Sequence, residues 1–187
     1  MHGSGDDERD LVPLAELLAP GVPVLAIRGS VDIDGGFAFF HRFPDRTIND
    51  ADISVRAPVL ADFIETCCTR YGLAVPPVAA GYSNGAIMTA ALVLTRPTLL
   101  AGAILLRPLS PFTSDPPSRL SGIPVLIIDG ERDKRRSPGD GARLAERLRG
   151  LGATVTHQVL PAGHAISDID ARLARMWLDA LPVPRPP

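Results

Sequence analysis

Gly81-Tyr82-Ser83-Asn84-Gly85 lies between two apolar stretches of different character. The run Val75 to Ala80 before it is typical of a buried strand, and Ala86 to Leu94 after it favours a helix. A Gly-x-Ser-x-Gly in a strand-to-helix context is the nucleophile elbow, in which flanking glycines allow a turn so tight that the serine hydroxyl projects above the sheet. We therefore predict that Ser83 is a nucleophile, with an ordinary turn serine as the alternative.

An acid and a histidine follow Ser83 in the chain order that this motif requires. Asp133 comes shortly after the apolar run Pro124 to Ile128, and His164 shortly after Val155 to Leu160. Each lies where a predicted strand meets a loop, and open α/β sheets place their sites at that carboxyl edge. Because a neutral hydroxyl is a weak nucleophile, His164 would take its proton while Asp133 orients the imidazole.

Two other carboxylates and one other histidine compete for these roles. Asp129 and Glu131 share the loop of Asp133, which is preferred because the loop after this strand presents the acid to the histidine. His157 falls in the middle of a predicted strand, where its side chain would be packed or at the surface. The sequence therefore predicts His164 as the base.

Two backbone N–H groups complete the predicted site as an oxyanion hole. One normally comes from the residue after the nucleophile, here Asn84, and one from a Gly-rich loop after an early strand. His2-Gly3-Ser4-Gly5 matches such a loop, with the N–H of Ser4 as the expected donor. A metal site at His2 and the aspartates after it is the alternative, but no second histidine stands at ligand spacing, so no metal is expected.

The composition predicts a single globular domain over residues 1–187. Hydrophobic residues are 45% of the 187 and charged residues 21%, which suits a chain with a core. The net charge of -2 argues against nucleic acid or an anionic membrane as a partner. No apolar run approaches the roughly 18 residues of a membrane span, and the acidic, polar opening predicts no signal peptide. Adjacent Cys67 and Cys68 point apart on a predicted helix, so we expect unpaired thiols and a cytoplasmic location.

Short apolar runs alternate with helical patterns, which predicts βαβ units and a mostly parallel sheet with helices on both faces. The predicted strands are Val22 to Arg28, Val75 to Tyr82, Gly102 to Leu106, Val125 to Asp129 and Thr154 to Leu160. Helical spacing covers Leu11 to Leu18, Leu60 to Cys67, Leu144 to Leu151 and Ile169 to Trp177, with Pro182 to Pro187 ending the last. Pro58 predicts a kink or a helix start at that position.

The motifs resemble the phospholipase/carboxylesterase family of small α/β-hydrolases, which includes acyl-protein thioesterase-like enzymes. The similarity covers nearly all of the chain. Its markers are His2-Gly3-Ser4-Gly5-Asp6, Leu11 to Leu18, Arg28-Gly29, Phe39-Phe40, Gly81 to Gly85, Gly130-Glu131-Arg132-Asp133 and Gly163-His164. The Arg-Gly followed by Phe-Phe is most similar to the bacterial branch associated with quinone and catechol stress.

The resemblance implies a three-layer α/β-hydrolase fold and cleavage of small carboxylic esters through an acyl-enzyme on Ser83, without metal or cofactor and often as a homodimer. The alternatives are a thioesterase, a hydrolase of aromatic ring-cleavage products, or a catalytically inactive relative that binds through the same pocket. In the family a central strand precedes the His-Gly loop, whereas here only Met1 stands before His2. We therefore expect a sheet without its N-terminal strand and a less firmly held Ser4.

Two further groups of residues are candidates for contacting substrate. Phe39 and Phe40, with Tyr82 of the elbow, would line an acyl or aryl pocket, and a small satellite core is an equal explanation for the phenylalanines. A basic run around Asp133 would steer an anionic substrate, with a solvated loop as the favoured alternative. The run consists of Arg132, Lys134, Arg135 and Arg136.

Overall fold

A parallel sheet with helices on both faces carries the predicted site, in a computed structural model that describes residues 1–73, 76–114, 116 and 118–181. In chain order the elements are α1 (Val12–Leu18), β1 (Val31–Ile33), β2 (Gly36–Ala38), α2 (Asp50–Arg70), β3 (Val78–Tyr82), α3 (Asn84–Thr95), β4 (Gly102–Leu106), β5 (Pro124–Gly130), α4 (Asp140–Gly150), β6 (Thr154–Leu160) and α5 (Asp168–Asp179). The parallel sheet has the spatial order β3-β4-β5-β6, and β1 pairs with β2 in an antiparallel hairpin.

Side-chain alternation along the central strands divides the core into two layers. In β4, Ala103 and Leu105 point to one face and Ile104 and Leu106 to the other, and all four are buried. The first face packs against α2, α3 and α4, and the second against α1 and α5. Because both of their faces are covered, the central strands β4 and β5 read as nearly continuous apolar runs. The predicted three-layer α/β fold is confirmed.

Four of the five predicted strands are present. β4 and β6 have the predicted bounds, β5 is one residue longer at each end, and β3 begins at Val78. Val75, where that strand was predicted to start, lies outside the described residues, as does the segment Pro182 to Pro187. The predicted helices are also present. α2 runs through Pro58, which is exposed, so that position does not start the helix.

The predicted strand Val22 to Arg28 is wrong. This segment has no strand conformation, and residues 21–26 are all exposed. Val22, Val24 and Leu25 are 40%, 48% and 42% exposed, far above the values of the sheet interior. A strand forms only with a hydrogen-bonding neighbour, and among the described residues no strand lies between this segment and β3 to pair with either.

β3 is an end strand of the sheet, and the backbone of Met1 lies along its outer edge. The main-chain nitrogen of Met1 donates to the Ala80 carbonyl at 2.7 Å, and the Tyr82 N–H donates to the Met1 carbonyl at 3.1 Å. Among the described residues no further strand pairs with this edge of β3. Met1 holds the following loop against the carboxyl end of β3.

No helix in the described part of the chain is both long and apolar enough to cross a membrane. Cys67 is buried, Cys68 is half-buried, and both are free thiols, as predicted from their adjacent positions on α2.

Two leucine-to-alanine variants, one at a buried and one at an exposed position, test whether residues 22–28 lie outside the sheet. Leu105 is fully buried in β4, so Leu105→Ala is expected to lower the free energy of unfolding by about 2–5 kcal/mol. Leu25→Ala, at an exposed site, is expected to cost about 0.5 kcal/mol or less. Urea unfolding followed by circular dichroism measures both. Equal losses would mean that residues 22–28 pack as a strand.

Candidate active site

Ser83 lies in a strained turn between β3 and α3. Its φ of 52° and ψ of -106° are outside the regions that non-glycine residues favour, a conformation that costs about 1–3 kcal/mol. The turn is tight on both sides. A Cβ on Gly81 would lie 2.6 Å from the Gly85 carbonyl oxygen, and one on Gly85 would lie 2.2 Å from that of Met1. The two glycines of the motif are therefore required by close backbone approaches.

The three residues predicted for catalysis lie in one hydrogen-bonded row. His164 Nε2 is 3.0 Å from Ser83 Oγ, and His164 Nδ1 is 2.7 Å from Asp133 Oδ2. Because a carboxylate only accepts, the imidazole proton belongs on Nδ1, and Nε2 is left to accept the serine proton. The Asp133 side chain is 1% exposed, and its other oxygen accepts from the Arg135 N–H at 2.8 Å. The row has the geometry of a nucleophile, a base and an orienting acid.

The competing residues lie elsewhere. Asp129 is paired with His157, whose Nε2 is 2.7 Å from Asp129 Oδ2, and this pair joins β5 to β6. Burial raises the pKa of Asp129. Glu131 is exposed. Neither of these carboxylates has a hydrogen bond with His164 among the described residues.

The surroundings of His164 favour its neutral form. Burial lowers the pKa of the imidazole, and the positive charges of Arg136 and Arg135 lower it further. The Asp133 carboxylate opposes these effects. Since the net pKa is below the usual value, the ring is a proton acceptor at neutral pH.

Arg136 contacts Ser83, a contact that the sequence did not indicate. Its Nη2 donates to Ser83 Oγ at 3.2 Å, and its Nε and Nη2 donate to the Arg107 carbonyl at 2.8 and 2.6 Å. Burial lowers the pKa of the guanidinium. Ser83 Oγ therefore lies between a base that can take its proton and a fixed cation.

Arg107 fixes the loop that carries His164, and the sequence analysis missed it. The side chain is fully buried and forms a bidentate ion pair with Asp170 at 2.7 and 2.9 Å. Its Nε donates to the Gly163 carbonyl at 3.0 Å and its Nη2 to the Ala165 carbonyl at 3.3 Å, so both neighbours of His164 are held. Its position directly after the apolar strand β4 could have indicated this role, because a charged side chain buried there needs a partner of opposite charge.

The predicted oxyanion loop is tied to the elbow. The His2 carbonyl accepts from the Gly85 N–H at 3.0 Å, and His2 Nε2 accepts from the Gly29 N–H at 2.9 Å. These contacts hold the residues before Ser4 at the first turn of α3. The N–H of Asn84 is one of the donors at the start of α3 that have no partner within the helix. The N–H of Ser4 takes part in no hydrogen bond between described residues.

The side chains that could hold a metal are otherwise engaged. Both ring nitrogens of His2 have partners, since Nδ1 is 2.6 Å from the Gly3 carbonyl. Over the described residues, no three His, Cys, Asp or Glu side chains are grouped as a metal would require.

The three residues predicted to line a substrate pocket lie in different surroundings. Phe39 and Phe40 are 3% and 1% exposed and belong to the main core, because the hairpin β1–β2 leads the chain inward there. They pack in the protein interior and line neither of the described cavities. Tyr82 is half-buried, and its ring centroid is 5.3 Å from that of His164. Phe39 supports the site from the core, since its N–H donates to Asn84 Oδ1 at 2.7 Å and its ring centroid is 4.8 Å from that of His2, whereas Tyr82 lies beside His164.

Enzymes of known structure share this architecture. The carboxylesterase from Mesorhizobium loti has a TM-score of 0.92 and 36% identity, over 97% of this chain and 87% of its own. The Bacillus cereus carboxylesterase has a TM-score of 0.91 and 32% identity, over 96% and 85% of the two chains. MhqD of Bacillus subtilis (strain 168), named as a hydrolase, is 33% identical over 178 residues, 95% of this chain and 89% of its own length. No family model matches the chain.

Removing one half of the buried ion pair should destabilise the protein. Asp170→Asn leaves the Arg107 charge buried without a counter-charge and is expected to lower the free energy of unfolding by about 3–5 kcal/mol. Asp62→Asn is the matched control, because Asp62 pairs with Arg96 at the surface and is expected to show no measurable loss. Chemical denaturation measures both. Equal stability of the two variants would contradict the structural role of Arg107.

Proposed function

We propose a serine-esterase mechanism for this chain, which belongs to the phospholipase/carboxylesterase family of small α/β-hydrolases and is a hydrolase of carboxylic esters. The family predicted from the motifs is thus confirmed, and the match to MhqD is consistent with the bacterial branch that Arg28-Gly29 and Phe39-Phe40 indicated. The proposal is that the reaction proceeds through an acyl-enzyme on Ser83 and that the substrates are small esters.

The row Asp133–His164–Ser83 is the observation that carries the proposal. With Nε2 unprotonated at 3.0 Å from Oγ, His164 accepts the serine proton as Oγ attacks the ester carbonyl. The 2.7 Å contact with Asp133 stabilises the imidazolium that forms. His164 then returns the proton to the leaving alcohol, and the acyl group remains on Ser83.

Hydrolysis of the acyl-enzyme repeats these roles with water as the nucleophile. His164 takes a proton from the water as it attacks the acyl carbon, and the carboxylic acid leaves when Ser83 Oγ regains a proton. In both halves of the reaction the carbonyl oxygen becomes negative. The N–H groups of Ser4 and Asn84 are the proposed donors to it, and losing such a donor costs about 10²–10³ in turnover.

A variant at the nucleophile tests the proposal. Ser83→Ala is expected to lower kcat on 4-nitrophenyl butyrate by about 10⁴-fold or more, because His164 then has no hydroxyl to activate. Ser54→Ala, on the exposed face of α2, is the matched control and should retain the parent rate. A Ser83→Ala enzyme as fast as the parent would overturn the mechanism.

The pH dependence of kcat/KM tests the role of His164. The base must be neutral, and burial lowers its pKa, so activity should fall only as the pH drops below the ordinary imidazole value of about 6.5. Arg136→Gln removes a charge that lowers this pKa, so its acid limb should move to higher pH. A parent limb above the ordinary value would contradict the proposed environment of His164.

A further inference from the structure

A basic cavity lies next to Arg136, on the described surface of the protein. Its volume is about 410 Å³. The five cationic residues that line it come from two loops, one before α2 and one before α4, and are Arg42, Arg46, Lys134, Arg135 and Arg136. The five cations contrast with the single carboxylate of the lining, Asp140, and with the net charge of -2 of the whole chain.

Among the described residues none of these five cations forms an ion pair with a carboxylate, whereas other arginines do. Asp133 and Asp140 attract Arg136 without forming an ion pair with it. Asp140 also lines the cavity, but its carboxylate is already bonded to the Arg143 guanidinium and to the Ser137 N–H. The positive charge of the cavity is therefore available to a ligand.

The arginines are crowded as well as unpaired. Burial and repulsion from Arg136 and Arg46 lower the pKa of Arg42 to about 10. The Arg42 guanidinium is held in place, because its Nη1 donates to the Arg46 carbonyl at 2.7 Å. An anion in the cavity would relieve this repulsion and receive preorganised donors.

Arg136 connects the cavity to the nucleophile. It lines the cavity, and its Nη2 lies 3.2 Å from Ser83 Oγ. The cavity and Ser83 therefore share Arg136, so one molecule could place an anionic group among the other arginines and an ester at Ser83. This spatial relation separates the cavity from a solvated basic loop with no role in binding.

We propose that the basic cavity is a subsite for a free carboxylate, so that the preferred substrates are small esters that also carry a carboxylate group. The proposal rests on the serine-esterase function of Ser83 and adds the substrate class. Arg42 and Arg46 bind the carboxylate, and Arg136 lies between it and the reacting ester. Arg42 and Arg46 are specificity residues for the reaction.

Two matched pairs of esters test the subsite. Mono-4-nitrophenyl adipate and 4-nitrophenyl hexanoate have six-carbon acyl groups that differ in the terminal carboxylate. 4-Acetoxybenzoate and 4-acetoxybenzamide differ in the same way in their leaving group, which carries a carboxylate in the first ester and a neutral amide in the second. At low ionic strength the anionic member of at least one pair is expected to have about tenfold higher kcat/KM. Addition of 0.5 M NaCl should reduce that preference, since salt screens the attraction.

Variants locate the effect in the cavity. Arg42→Gln, and separately the exposed Arg46→Gln, should lower the anionic-to-neutral ratio several-fold. Arg172→Gln removes the same charge from an exposed position on α5 and should preserve the ratio. Because each variant is judged by a ratio within one enzyme preparation, partial unfolding does not imitate the expected result.

The outcomes separate this proposal from the one on which it rests. Hydrolysis of the neutral esters with no preference for either anionic ester would overturn the subsite and leave the serine-esterase mechanism intact. A preference that survives both arginine variants would also overturn it. Failure to hydrolyse any of the four esters would remove the proposed function, and the subsite with it.

Discussion

The buried ion pair between Arg107 and Asp170 is the constraint on which the site depends. A buried charge is costly unless it is paired and hydrogen-bonded, and Arg107 meets this condition because five hydrogen bonds, to Asp170, Gly163, Ala165 and Ile128, match its five N–H groups. The backbone carbonyl of Arg107 accepts a hydrogen bond from Arg136, and the Arg136 guanidinium also donates to Ser83 Oγ. One side chain thus fixes the histidine loop while its backbone fixes a cation beside the serine. A shift of about an ångström in the position of His164 would weaken the proton transfer from Ser83 to His164.

The elbow depends on a second set of contacts, which are made by the backbone. Ser83 N–H donates to the Leu106 carbonyl at 2.9 Å, which ties the strained turn to β4, and the His2 carbonyl accepts from Gly85 on the other side. The expectation that Ser4 is less firmly held stays a prediction, whereas Met1 and His2 before it pair with β3 and α3. The backbone of Met1 and His2 thus places the loop against the turn that carries Ser83.

Local signals predicted the fold with one strand wrong, and they singled out three side chains that the structure brings together at the site. Ser83, Asp133 and His164 were recognised because each follows an apolar run, and strand ends meet at one edge of a parallel sheet. The strand predicted at Val22 to Arg28 had the same apolar signal, but strand formation depends on a neighbour that the segment itself does not encode. The role of Arg107 and the contact of Arg136 with Ser83 were not predicted, for a related reason. Their roles come from partners 63 and 53 residues away, and no local pattern specifies such contacts.

The most direct test of the central claim is covalent labelling of the folded chain with a fluorophosphonate probe, followed by mass spectrometry of the peptides. The account predicts a single adduct on Ser83, formed rapidly at neutral pH because His164 is neutral and within 3.0 Å of Oγ. It also predicts slow labelling in a His164→Ala variant that keeps the fold. A folded chain that gives no adduct, or an adduct on another residue, would contradict the assembled nucleophile.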